Sequence, residues 1–255
     1  EIVLTAVLKR PSIIEFVSSA FKNNREIVET AISQSGELLE HASSALRNTF
    51  STVLTALKNN PKAFLYASDE LKNNREIVLS AINQNGLLLE QASEQLRNDY
   101  EIVLTAVNQA PNAIIHASTA LKNNRDIVLA AVIKNGLLLK QASEQLQNDC
   151  EIVLTAVNQA PNAIIHASTA LKNECQMMSV VLCKKGSLLK HASDKLKNDR
   201  DLVLTAIANE ADAFKYASET LKGDKEIALA AINMNCTVFP FASSALRNEG
   251  DIVLA

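Results

Sequence analysis

Ten serines stand 25 residues apart, from Ser18 to Ser243, and all four histidines fall two positions before one of them. A hydroxyl near an imidazole is the raw material of nucleophilic catalysis, which also needs a base in hydrogen-bond reach and an oxyanion site. No single repeat supplies that set. The ten-fold serine reads instead as a small hydroxyl at a tight helix crossing, bonding the carbonyl four residues back. The histidine position is more informative. Down the chain it runs Phe16, His41, Tyr66, Gln91, His116, Gln141, His166, His191, Tyr216 and Phe241. Such a column offers stacking and hydrogen-bonding groups to an extended partner. His41, Tyr66, His116, His166, His191 and Tyr216 are therefore the candidate partner-binding residues, with rim packing between helices as the competing use. A metal site is a weaker reading, because His166 and His191 lie one repeat apart and no carboxylate or thiol shares their position. Lys or Arg fills the twenty-second position from Lys22 to Arg247, with Gln147 as the exception. These cations could track phosphates, but at a helix end they offset the dipole, so a solvated ladder is the preferred reading. No catalytic, cofactor-binding or metal-binding residue is assigned.

The elements that position these columns follow from the period. EIVLTAVNQAPNAIIHASTALKN runs from Glu101 to Asn123 and reappears unchanged from Glu151 to Asn173. The chain aligns with itself at 25 residues without a gap, giving ten copies and the start of an eleventh at Asp251. Such a period marks a solenoid. In the fourth copy, Asn73 and Glu76 have capping-box spacing, which starts a first helix near residue 74. Ile77, Val78, Ala81 and Ile82 form its buried face, and Gly86 in a left-handed conformation closes it. A second helix, from about Leu87 to Arg97, carries Leu88, Leu89, Ala92, Ser93 and Leu96 as its stripe. Helices of roughly 11 residues are marginal alone, so stacking must stabilise them. Ala at the sixth and seventeenth positions, broken only by Val181 and Val17, marks close crossings. Pro11, Pro61, Pro111 and Pro161 alternate with Gly36, Gly86, Gly136 and Gly186, pairing the repeats into 50-residue units. Pro suits the first turn of a helix. The expected fold is all-α, an α-solenoid of about ten 25-residue helix-turn-helix repeats forming one continuous array over 1–255.

Composition removes several classes. Lys and Arg number 25 against 28 Asp and Glu, a net charge of −3, so the basic excess of a generic polyanion binder is missing and nucleic acid is not the expected partner. No apolar run approaches the ~18 residues of a membrane span. Cys150 and Cys175 share a position in adjacent repeats, whose helices should stand about 8–10 Å apart, beyond the ~7 Å reach of a disulfide. Free thiols fit a reducing, intracellular compartment. Met177 and Met178 read as core filling. Pro240, four positions late, should delay the second helix of repeat ten by about a turn. Both ends fall inside repeat sequence without polar caps, which predicts a piece of a longer protein.

The pattern VLxAVxxNGxxLxxASxxL, present as VLSAINQNGLLLEQASEQL from Val78 to Leu96, resembles a family of unknown function. Its short tandem repeats occur in secreted effectors of intracellular bacteria and in some protist and large-virus proteins. The resemblance covers essentially the whole chain, with repeats eight to ten the poorest fit. It implies a helical repeat array and life inside a host cell, and brings no activity or catalytic residue. The expected function is a non-enzymatic scaffold binding another protein. The alternative is a single-stranded nucleic-acid reader with one contact unit per repeat.

Overall fold

The computed structural model describes residues 1–248; the opening of an eleventh repeat lies outside the described residues. The protein divides into two compact units, Glu1–Ala131 and Val132–Ala255. Both are all-α tandem-repeat solenoids, and no strand occurs among the described residues.

Each repeat contains three short helices rather than the two expected. In the fourth copy they are an α-helix at Arg75–Ile82, a 3-10 helix at Gly86–Gln91 and a single α turn at Glu94–Arg97. Ile77, Val78, Ala81 and Ile82 are fully buried, as their spacing requires. Leu88, Leu89, Ala92 and Leu96 are buried too, but they reach the core from a broken rod. Ala92 and Ser93 are extended, with Ser93 at φ −58 and ψ 158.

Three bonds made by the serine explain the break. Its backbone N–H donates to the Lys72 carbonyl at 3.0 Å. Its hydroxyl donates to Asn73 Oδ1 at 2.5 Å, and its Oγ accepts from the Leu96 N–H at 3.3 Å. The first two reach the preceding repeat, and the third caps the following turn. A continuous helix through Ser93 would forfeit all three. The serine therefore ties repeats together and does not bond the carbonyl four residues back. Ser118 repeats the arrangement in the first unit, as do Ser168 and Ser218 in the second. The long helix starts one residue later than expected. Asn74 is its cap, accepting from the Glu76 and Ile77 N–H groups, while Asn73 is occupied by the serine hydroxyl.

The glycines also act differently from expectation. Among the described residues none has positive φ, so left-handed closure is not their use. A Cβ on Gly36 would stand 2.2 Å from the carbonyl oxygen of Ala56, and on Gly136 2.1 Å from that of Ala156. Gly86 and Gly186 meet Ala106 and Ala206 in the same way. Repeats two, four, six and eight thus lay the start of their 3-10 helices against the long helix of the following odd repeat, too closely for a side chain. In most odd repeats proline opens the 3-10 helix, as at Pro61 and Pro111.

Met177 and Met178 are buried in the core. Pro240 does not delay its helix. The 3-10 segment Cys236–Phe241 starts on register with Pro240 inside it, because so short a segment loses little when one N–H is missing. All four cysteines are free and exposed. Arg75 pairs with Asp99 and Glu101, and Arg200 with Asp224 and Glu226, bridging successive repeats at the starts of their long helices. Hydrogen bonding from the Ile227 N–H, then the Arg200 guanidinium, holds the Asp224 carboxyl below its usual range.

Candidate functional site

The column of candidate residues occupies one structural position. His41, Tyr66, His116, His166, His191 and Tyr216 each end the 3-10 helix of their repeat. All six are half-buried. In the first unit the column borders two equivalent grooves. One, of about 360 Å³, is lined by Glu94, Arg97, His116, Ala117, Ser118 and Thr119. The other, of about 270 Å³, is lined by Ser44, Arg47, Tyr66, Ala67, Ser68 and Asp69. The Nε atoms of Arg47 and Arg97 are buried there without a hydrogen-bond partner.

The twenty-second position is not a solvated ladder. Lys122 is half-buried and its Nζ donates to the Ile115 carbonyl at 2.7 Å; Lys172 does the same to Ile165 at 2.7 Å. Burial holds both amines below the usual lysine range. The cation thus closes the carbonyl end of its own repeat's 3-10 helix. Gln147 bonds the same end of its 3-10 helix with a neutral amide, but to other carbonyls: its Nε2 donates to Ala142 at 3.0 Å and to Leu139 at 3.4 Å. The exception in the sequence is thus one of charge and of acceptor.

Environment divides the column. Burial, then the neighbouring Glu40 and the charge of Glu37, raise the Tyr66 phenol above its usual range. His166 is held below the usual imidazole value by burial, then by Lys140 and Lys172. His191 is lowered by burial, then by Lys190, Lys172 and Lys197, and its Nε2 is buried with no partner. The Lys215 ammonium lies 5.1 Å from the Tyr216 ring centroid, in cation–π range. A reading of the histidine column alone misses the neighbouring fifteenth position. It carries Glu15, Glu40 and Glu90 in the first unit but Lys140, Lys190 and Lys215 in the second. The near balance of total charge conceals this reversal.

These side chains can stack, donate, accept and attract charge. Among the described residues no group of three or more His, Cys, Asp or Glu is placed to hold a metal ion. No described helix is long and apolar enough to cross a membrane.

A family model for a domain of unknown function, DUF4116, matches the protein seven times, at residues 1–47, 51–97, 74–122, 99–145, 124–172, 176–222 and 202–247. Each match spans close to two repeats, and successive matches begin on both odd and even copies. Neither a curated protein nor a solved structure matches the chain.

Proposed function

The chain belongs to the DUF4116 family, and we propose that it is a non-enzymatic helical scaffold whose histidine and tyrosine rim binds another protein. One observation carries this reading: the rim residues are held half-exposed in one column, and Tyr66 and His116 line equivalent grooves. The invariant serines beside them are occupied in tying repeats together. A few anchors in such a surface supply most of the binding energy.

The test compares wild type with the triple variant His116→Ala, His166→Ala and His191→Ala as bait in host-cell lysate, folding being checked by circular dichroism. At least one captured protein should fall about ten-fold or more with the variant, the loss of roughly 1.4 kcal/mol of anchor energy. An unchanged set of captured proteins removes the rim from consideration. Ser118→Ala and Ser168→Ala serve as controls: each should cost about 0.5–2 kcal/mol of stability and leave capture intact.

A further inference from the structure

We propose that the rim of the second unit receives an acidic, extended peptide segment of the protein partner, laid along Lys140, His166, Lys190, His191 and Lys215. This inference rests on the scaffold reading above and names the chemistry of the partner.

Charge at matched positions supports it. In repeats two to five, the fifteenth, nineteenth and twenty-second positions together hold four cations and four carboxylates, the acids being Glu40, Asp69, Glu90 and Glu94. In repeats six to nine, lysines replace the acids of the fifteenth position. Six cations then stand against three carboxylates, Glu144, Asp194 and Glu219. Two of those three already have partners: Asp194 lies 3.8 Å from Lys197, and Glu219 2.9 Å from Lys222. Lys140 and Lys190 are exposed and form no ion pair among the described residues. His191 lies among three lysines with a buried nitrogen unpartnered. Cations in excess of their counter-charges repel one another, and a carboxylate arriving from outside relieves that repulsion.

Spacing favours a peptide over a nucleic acid. Helices stack about 8–10 Å apart and an extended chain advances about 3.3 Å per residue, so roughly every third residue of the partner meets a new repeat. A peptide can carry glutamate only where a repeat offers a lysine, as at Lys140, Lys190 and Lys215, and an apolar residue opposite Ile165. A nucleic acid carries a phosphate on every nucleotide and cannot be patterned in this way.

The experiment is fluorescence anisotropy of a labelled peptide of about twelve residues, long enough for four repeats, with glutamate at every third position. It is titrated with the full chain and with the double variant Lys140→Glu and Lys190→Glu. Glutamate occupies this position natively at Glu40 and Glu90, so the variant should fold, and circular dichroism checks that it does. We expect saturable, salt-sensitive binding that the double variant weakens by about ten-fold or more. Equal binding by the two proteins overturns the proposal. Tighter binding of a single-stranded oligonucleotide of equal charge overturns it in favour of nucleic acid. Lysine-dependent self-association in sedimentation overturns it in favour of a second copy. If the peptide result fails while the triple histidine variant still loses its captured protein, the scaffold reading stands and only the acidic chemistry falls.

Discussion

Residues 101–123 and 151–173 have the same sequence and lie in different units. Their backbones agree element by element: long helices Tyr100–Gln109 and Cys150–Gln159, 3-10 helices Pro111–His116 and Pro161–His166, single turns Thr119–Lys122 and Thr169–Lys172. The serine-to-asparagine bond is 2.6 Å in both, and the lysine-to-carbonyl bond 2.7 Å in both. The chemistry offered by the rim differs. The repeat before His166 brings Lys140, whereas Glu90 holds the corresponding position before His116. Local sequence thus sets the framework of a repeat, and the neighbouring repeat sets what its rim residue experiences.

Leu121→Ala and Leu171→Ala give the largest effect and the most direct test of framework identity. Both leucines are buried, at 8% and 7% exposure, and each truncation should cost about 2–5 kcal/mol in chemical denaturation. Costs differing by more than about 1 kcal/mol would mean that context reaches the core as well as the rim. Hydrogen exchange should place the first loss of protection around the mutated repeat, since each repeat is stabilised by its neighbours.

A smaller effect tests the alternation between odd and even repeats. Gly86→Ala and Gly136→Ala push a Cβ to within 2.3 and 2.1 Å of a backbone carbonyl oxygen. Each should destabilise by about 1–3 kcal/mol, equally in the two units. Pro161→Ala should cost only about 0.4–1 kcal/mol, since Ala211 already occupies that position in repeat nine. Thermal denaturation of the three variants ranks them; a costly proline and a tolerated glycine would reverse the account of the alternation.

The smallest effect concerns pH and belongs to the second unit. The pKa values of His166 and His191 are lower folded than the usual 6.5, so at mildly acidic pH the unfolded chain binds more protons. Stability should therefore fall as pH drops from above 6.5 through the lowered folded values. His166→Gln with His191→Gln, the residue native at Gln91 and Gln141, should flatten that fall in melting temperature measured from pH 8 to pH 5. An unchanged pH slope would mean that these imidazoles protonate as readily in the folded protein as in the unfolded chain.

Much of the framework is legible in the sequence alone. The 25-residue period, the buried face of Ile77, Val78, Ala81 and Ile82, and the small sixth position all follow from helical spacing. The second helix is not, because Leu88, Leu89, Ala92 and Leu96 satisfy an α-helical stripe equally well as a 3-10 helix plus one turn. Asn73 and Asn74 can each cap a helix, so side-chain type does not choose between them. The rim is legible as a column, but its competing uses are not separable, because exposure depends on how far one repeat overhangs the next.

By itself the sequence determined the repeat, its length, its apolar face and the positions that can hold only small residues, because these depend on periodicity and volume along one chain. Tertiary structure alone decided three matters that depend on residues about twenty apart. The serine breaks a helix because its partner is an asparagine of the preceding repeat. Glycine is required because the next repeat's alanine carbonyl lies against it. The rim is cationic around His166 and His191 because folding gathers lysines from successive repeats. Hydrogen bonds, contact sterics and Coulomb interactions act through space at a few ångströms, and only stacking brings those partners within that range.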